Sequence, residues 1–434
     1  MDLTIRATPR LAGEATVPGD KSITHRALLF GAMGDGPSRI WNHLDGGDCR
    51  ATMACLERLG IVVERVAEAE IIVHGRGLRG WRPPAAPLDC GRSGTTMRLL
   101  AGLLAGQPFT SVLTGDPQLL GRPMGRVVEP LRRMGALIRA TEENTPPLEI
   151  EGGALEGVRY ELPVASAQVK SLVLLAGLYA QGPTVVVEPA PSRDHTERML
   201  QARGAPLESR VFEHTLAGPV ERLSALDIRI PGDLSSAAYL LVAALLAREG
   251  RLVLRGVSVN PTRTGLLSVL NRMGARMTLQ NLRSEGGEPV ADLSAQPSTL
   301  RATEVGGDWV PRMIDEFPIL ALAATQAKGV TRVRDAAELR VKESDRISAI
   351  VGELSALGAH IEERPDGFDV HGPTPLHGGP VHSHGDHRLA MTLAVAGLVA
   401  SGSTCVQGAE RVADSYPGFE RTLAQLAPGA LEGG

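Results

Sequence analysis

Residues Lys21–Gly34 read KSITHRALLFGAMG, and the same design returns five times along the chain. The further copies are Ser93–Gly106 (SGTTMRLLAGLLAG), Ser166–Gly182 (SAQVKSLVLLAGLYAQG), Ser235–Gly250 (SSAAYLLVAALLAREG), Asp315–Gly329 (DEFPILALAATQAKG) and Asp386–Gly402 (DHRLAMTLAVAGLVASG). Each opens on charged or hydroxyl side chains, continues as an Ala/Leu-rich run and closes at glycine. The starts are separated by 72, 73, 69, 80 and 71 residues. A fixed period of this size marks a repeated supersecondary unit that cannot bury its apolar surface alone. A second signal runs in parallel, Leu-x-x-Leu/Met-Gly, at Leu56–Gly60, Leu131–Gly135, Leu270–Gly274 and Leu354–Gly358, with looser versions at Leu200–Gly204 and Leu423–Ala427. Each unit therefore carries two helices.

The six long runs are apolar nearly all round, which predicts buried helices with sheets outside them, the reverse of the usual α/β layout. Strands are expected in the alternating runs Tyr160–Val164, Ala225–Ile230 and Phe368–Val370. Six units grouped three and three give an α/β fold of two similar domains, a two-domain inside-out α/β barrel. The expected division is residues 20–231 against 1–19 plus 232–434, with the site in the cleft. The crossovers are Pro18-Gly19-Asp20 and Pro231-Gly232-Asp233, where glycine turns the backbone and aspartate caps the next helix.

The composition narrows the function. Of 434 residues 43% are hydrophobic and 22% charged, as in ordinary globular proteins. Aromatic residues make up only 3%, which argues against stacking platforms for bases or sugars, and a net charge of -4 argues against a general nucleic-acid surface. No signal core or membrane-length apolar stretch is evident, so a cytoplasmic chain without a membrane partner is expected. The four cysteines (Cys49, Cys55, Cys90 and Cys405) lack metal-ligand and disulfide-framework spacing and read as small buried hydrophobes.

Chemistry-bearing residues collect at the helix openings, where free N–H groups and the helix dipole favour anions. Lys21 and His25 share one face of the first helix, as do Ser22 and Arg26. A lysine in a first turn opposes the dipole, and an anionic ligand supplies the reason for it. Gly91-Arg92-Ser93-Gly94 is a small-residue loop that lets backbone N–H groups approach a phosphate or carboxylate, although no Gly-Lys-Ser/Thr of a P-loop follows. Arg122 stands beside Pro123. Ser166, Gln168 and Lys170 offer hydroxyl, amide and ammonium groups suited to phosphate and sugar-like hydroxyls. In Arg340–Arg346 the cations Lys342 and Arg346 flank Glu343, whose proton affinity is tunable by charge and burial. Asp315 is a candidate base and Arg388 a candidate clamp, while His387 reads as a packed histidine. Such a set binds small, highly anionic molecules and moves protons; these residues show neither the spacing of a metal-ligand motif nor a nucleotide fingerprint.

In this order the segments PGDKSITHRALL, GRSGTTMRLLAG, LTGDPQLLGRPM, SAQVKSLVLLAG, SRDHTERML, IDEFPILA, RVKESDRI and GDHRLAM resemble those of the EPSP synthase family over the whole chain. The resemblance implies the same inside-out fold and transfer of the enolpyruvyl group of phosphoenolpyruvate to shikimate 3-phosphate, without metal or organic cofactor. It implies Glu343 as the group that exchanges the methylene proton, Asp315 as acceptor of the hydroxyl proton, and Lys21 in an acid/base role. Lys21, Gly94, Arg122, Arg346 and Arg388 would hold phosphoenolpyruvate. Lys21, Ser22, Arg26, Ser166, Ala167, Gln168, Arg193, Asp315 and Lys342 would hold shikimate 3-phosphate, Ala167 through its main chain. The partners so implied are two small molecules, and the chain is expected to be a monomer whose domains close on an anion.

Four positions bear on this resemblance. Arg92 stands where many members have Asn, Asp414 where some have a catalytic-site Lys, and Ala167 where part of the family has Ser. Gly94 matches members in which glyphosate competes, the insensitive ones often having Ala. The nearest rival is a UDP-N-acetylglucosamine enolpyruvyl transferase, which uses a Cys before its Arg-Pro; the loop Asp116–Arg122 has none. An RNA 3'-phosphate cyclase would want a basic surface, and a non-catalytic phosphosugar-binding protein would not need both Glu343 and Asp315.

Overall fold

A computed structural model describes residues 1–431 and divides the chain into two compact units. One comprises Gly19–Ile230 with Ser284–Glu288, and the other Met1–Pro18, Pro231–Arg283 and Pro289–Gly434. The chain changes unit at Pro18/Gly19 and Ile230/Pro231, within a residue of the Pro-Gly-Asp segments. The tip Ser284–Glu288 of a long hairpin, expected with the C-terminal half, falls instead in the unit of residues 19–230.

The six repeated runs are helices: Lys21–Met33, Gly94–Leu104, Ala167–Gly177, Leu234–Leu246, Phe317–Thr325 and His387–Val399. Five have a side-chain cap, from Asp20, Ser93, Ser166, Asp233 and Asp386 to the amides of Ile23, Thr96, Val169, Ser235 and Arg388. Such caps satisfy amides that the helix itself leaves open. The fifth repeat departs from its expected start: the helix begins at Phe317, Glu316 occupies the cap position without a side-chain capping bond to the helix amides, and Asp315 stays in the preceding turn. Burial is nearly complete along all six, and every residue of Phe317–Thr325 is buried.

The Leu-x-x-Leu/Met-Gly signal is a helix stop. Gly60, Gly135, Gly204, Gly274 and Gly358 all lie at φ between 81 and 93°. In each, the amide after the glycine returns to the carbonyl of the motif's leucine, as in Ile61 to Leu56, Ala136 to Leu131 and Ala359 to Leu354. This is the left-handed closure that glycine reaches without penalty and that satisfies terminal carbonyls. At the looser copy Ala427 ends the Phe419–Leu426 helix at φ −132 instead.

Sheets cover the helices. In the unit of residues 19–230 the strands Leu88–Asp89, Thr110–Thr114, Leu148–Glu151 and Leu137–Arg139 lie in that order, first parallel and then twice antiparallel. The same pattern orders Ile228–Arg229, Pro37–Trp41, Glu70–His74 and Val62–Ala67. In the other unit it orders Glu304–Val305, Gly329–Val333, Gly367–Gly372 and His360–Arg364. The N-terminal strands Leu3–Arg6 and Gly13–Thr16 pair with Ser403–Gln407 and Leu252–Ser258, which ties the start of the chain to its C-terminal half. Two expected strands are shorter than read: Arg159–Glu161 leaves Val164 exposed, and Ile228–Arg229 omits Ala225. Phe368–Val370 lies within Gly367–Gly372.

Glycine sets how closely helices pack. A Cβ on Gly102 would stand 2.5 Å from the Leu172 carbonyl oxygen of the neighbouring helix. Backbone cannot yield as a flexible side chain does, so Gly102→Ala should lower unfolding stability by about 1–3 kcal/mol. Gly352, exposed in the helix Arg346–Ala356 with nothing within 4 Å of an added Cβ, should gain roughly 0.5–1 kcal/mol as Gly352→Ala. Denaturant midpoints that move in opposite directions would bear this out; loss at both positions would refute the packing argument.

Candidate active site

In the unit of residues 19–230 the first turns of the three core helices are bonded to one another. His25 Nδ1 meets Thr52 Oγ1 at 2.7 Å, and Thr52 meets Thr96 at 2.6 Å. Thr95 accepts from Gln168 Nε2 at 2.8 Å. Ser171 accepts from Arg26 Nη2 at 2.8 Å. These contacts close a ring through the helices that begin at Lys21, Gly94 and Ala167, with Thr52 of Gly47–Arg58 as a link.

Of the predicted residues, Arg26 and Gln168 are members of this ring, and others lie on the same helices. Lys21 Nζ is 3.1 Å from Asp48 Oδ2, and Arg193 Nη1 donates to Ser22 Oγ at 3.3 Å. Arg26 is buried, binds Thr196 Oγ1 at 2.7 Å and the Ser22 carbonyl at 3.0 Å, and burial lowers its pKa to about 10, which leaves it charged at neutral pH. Gln168 accepts from Arg98, a cation the sequence reading passed over. A Cβ at Gly94 would meet Arg98 Nη1 at 3.0 Å and Arg122 Nη1 at 3.3 Å, so the structure brings Gly94 and Arg122 together. Ser166 caps the helix that starts at Ala167. Arg92 is tied to Asp116 Oδ2 at 2.6 Å, and Asp116 also caps Pro117–Leu120.

Lys170 differs from expectation. Its ammonium turns away from the helix opening into a buried cluster, 2.7 Å from Glu188 and 2.6 Å from Glu197, with His214 Nε2 3.1 Å from Glu188. Burial raises the Glu188 pKa, but His214 and Lys170 outweigh it and hold the net value low. By its position one turn past the cap Lys170 reads as an ammonium offered at the helix opening; only the long-range partners Glu188, Glu197 and His214 show otherwise.

The other unit builds its group around one guanidinium. Arg346, itself buried, donates through Nε to Asp386 at 2.7 Å, through Nη2 to Glu343 at 2.6 Å and through Nη1 to Asp315 at 3.3 Å. Arg388 Nε reaches the same Asp315 oxygen at 3.3 Å. Burial disfavours the charge on Arg346 and Arg388, yet the surrounding carboxylates raise both pKa values. Burial is the largest influence on Asp386 and pushes its pKa up, but the charge and hydrogen bond of Arg346 together with His387 outweigh it and leave the value lowered, so it stays a carboxylate. Lys342 lies 3.2 Å from Glu338, and desolvation lowers its pKa. Here too the core helices are cross-bonded, because Ser235 donates to Glu316 and Arg263 binds both Asp233 and Ser235. Asp386 reads in the sequence as a helix-opening residue; its cap to the Arg388 amide is local, whereas its bond to Arg346 spans 40 residues. His387 is buried, as expected. Asp414, where some family members carry Lys, lies 3.7 Å from Arg411.

Arranged this way, the first unit offers cations and hydroxyls to an anionic, hydroxylated ligand. The second offers two carboxylates whose orientation is fixed by arginines, a set for proton transfer beside an anion.

The EPSP synthase (3-phosphoshikimate 1-carboxyvinyltransferase) family model matches residues 5–423. The chain is 52% identical over 427 residues to the 3-phosphoshikimate 1-carboxyvinyltransferase of Desulforudis audaxviator, covering 98% of this chain and 99% of that one. It is 52% identical over 428 residues to the enzyme of the same name from Acidithiobacillus ferrooxidans, at 99% and 98% coverage. The solved structure of an EPSP synthase from Acinetobacter baumannii superposes with a TM-score of 0.89 at 44% identity, covering 99% of each chain. The enolpyruvyl transferase NikO from Streptomyces tendae aligns with a TM-score of 0.80 over 98% of this chain and 97% of its own; at 21% identity this is a likeness of fold alone.

His25 gives a pH-dependent check on the ring. Burial lowers its pKa from 6.5 to about 3, so folding favours the neutral ring. The stability it contributes is complete above the unfolded value and is lost as pH falls toward the folded one. The stability gap between the native chain and His25→Gln should be widest near neutral pH and close between about pH 6.5 and about pH 3. Chemical denaturation across that range tests it, and a gap independent of pH would contradict a neutral buried His25.

Proposed function

The chain belongs to the EPSP synthase family, and we infer that it transfers the enolpyruvyl group of phosphoenolpyruvate to the 5-hydroxyl of shikimate 3-phosphate. The products are 5-enolpyruvylshikimate 3-phosphate and phosphate. Full-length identity near one half to relatives named for this reaction favours it over the UDP-N-acetylglucosamine acceptor, whose loop cysteine the chain lacks.

The observation that carries the assignment of roles is the shared bonding of Glu343 and Asp315 to Arg346. Asp315 accepts the proton of the 5-hydroxyl as that oxygen bonds to C2 of phosphoenolpyruvate, and Glu343 protonates C3. The adduct then returns one C3 proton to Glu343 and expels phosphate, which leaves with the proton taken up by Asp315, and the double bond is restored. Lys21 assists the proton movements. Positive charge from Lys21, Arg122, Arg346 and Arg388, with the backbone at Gly94, holds phosphoenolpyruvate and offsets the charge of the leaving phosphate. Lys21, Ser22, Arg26, Ser166, the Ala167 main chain, Gln168, Arg193, Asp315 and Lys342 hold shikimate 3-phosphate. The cations in and beside the ring in residues 19–230 (Arg26, Lys21 and Arg193), together with its hydroxyl groups, support its assignment to the phosphorylated hydroxy acid.

No helix among the described residues is long and apolar enough to cross a membrane. The proposal further includes a cytoplasmic monomer acting on small molecules, without nucleic-acid or membrane partners; light scattering of the full chain checks the monomer.

Phosphate release should need both substrates and fall by roughly 100-fold or more in Glu343→Gln, with the stability unchanged. Release with phosphoenolpyruvate and UDP-N-acetylglucosamine instead would move the chain to the other acceptor, and silence with both would mean a binding protein. Glyphosate should compete with phosphoenolpyruvate. Gly94→Ala, by pressing a methyl group against the Arg122 guanidinium, should raise the glyphosate inhibition constant and the KM for phosphoenolpyruvate. An inhibition constant far above that KM in the native chain would contradict the competition.

A further inference from the structure

The hairpin formed by His360–Arg364 and Gly367–Gly372 carries a cluster that enolpyruvyl transfer does not use. His360 lies directly across from His371 in the antiparallel register, and Ile361 lies across from Val370. Side chains alternate along a strand, so Ile361, Val370 and Phe368 face the core while His360, Glu362, Arg364, Asp369 and His371 share the outer face. Glu362 Oε1 is 3.4 Å from His371 Nε2 and 3.8 Å from His360 Nε2. One potential ligand atom from each of the three lies within 4.8 Å of the others.

Two further contacts prepare this arrangement for a cation. The imidazoles are stacked, with centroids 4.2 Å apart and planes 13° from parallel. The stacking sets both ring edges beside Glu362 Oε1, and neutral imidazole nitrogen is the form that ligates metal. Arg364 Nη2 holds the other Glu362 oxygen, Oε2, at 2.6 Å and also grips Asp369, so Oε1 is steered toward the histidines. Arg332, across the ladder from Asp369, and Arg334, bound to Asp369, are the other nearby cations.

From this juxtaposition we propose that His360, Glu362 and His371 form a surface site for one divalent metal ion of the zinc class. Two imidazole nitrogens and one carboxylate oxygen are a borderline donor set that selects zinc-like ions over magnesium or calcium, and water completes the coordination. The bound ion would staple the two strands outside the site of enolpyruvyl transfer. The second candidate group, Glu188, Glu197 and His214, is different in kind, because the Lys170 ammonium already fills its centre.

The test is calorimetric titration of the tag-free full chain with zinc chloride at about pH 7.5 and about pH 5.5. The expected result is one equivalent bound at the higher pH, affinity about tenfold weaker or worse at the lower pH, and a rise in thermal midpoint with zinc. His360→Ala with His371→Ala should abolish binding and the midpoint rise. The same pair should leave the metal-free midpoint and phosphate release at native values, since neither residue touches the groups assigned to the reaction. Glu362→Gln should weaken binding by roughly tenfold. His382→Ala with His384→Ala, a second exposed histidine pair, serves as the control that keeps binding. No zinc uptake by the native chain, or uptake that survives loss of both His360 and His371, would overturn the proposal.

Discussion

Everything else in this structure depends on where six apolar helices can go. Helices such as Phe317–Thr325, buried along their whole length, have no solvent face and must pack on other helices beneath covering sheets. That leaves only their first turns to carry polar groups. Several of those groups, among them His25, Arg26 and Thr96, are buried and need partners, and residues near the helix openings satisfy one another. In one unit the result is the ring through His25, Thr52, Thr96, Thr95, Gln168, Ser171 and Arg26. In the other it is the fan of carboxylates on Arg346. Arg26, Gln168, Asp315, Glu343 and Arg346, to which the proposal assigns roles, are thus held by hydrogen bonds between the core elements.

Much of this was legible in the sequence because the determinants are local. Caps at Asp20, Ser93, Ser166 and Asp386 lie within three residues of the amides they satisfy. The left-handed glycines at positions 60, 135, 204, 274 and 358 close helices within their own five-residue motif. Glu343 and Arg346 share one turn, so their pairing could be read from spacing. What escaped was long-range. Asp48 as partner of Lys21, Arg98 as partner of Gln168 and the burial of Lys170 against Glu188 depend on segments 27, 70 and 18 residues apart. The start at Phe317 was misplaced by two residues because Asp315 and Glu316 both resemble caps, whereas Asp315 is drawn to Arg346 and Arg388.

The two polar groups differ in charge, and the difference has chemical meaning. Cations predominate around the ring in residues 19–230, where Asp48 is the carboxylate paired with Lys21. Around Arg346 the cations are not bare: Asp315, Glu343 and Asp386 all contact it. Carboxylates held this way are preorganised to exchange protons, and an incoming anion meets guanidinium groups whose orientation is already set. Arginine suits this task because one planar fork orients several carboxylates at once, which a lysine ammonium does not.

The central claim is that Arg346 and Glu343 act as a unit, and a double-mutant cycle tests it most directly. The quantities are kcat/KM for the native chain, Arg346→Lys, Glu343→Gln and the double variant. The account predicts strong non-additivity, with a coupling of about 1–3 kcal/mol, because loss of the fork already disorders the carboxylate. Losses that add to within about 0.5 kcal/mol would contradict it, and would mean that Glu343 finds its place without Arg346.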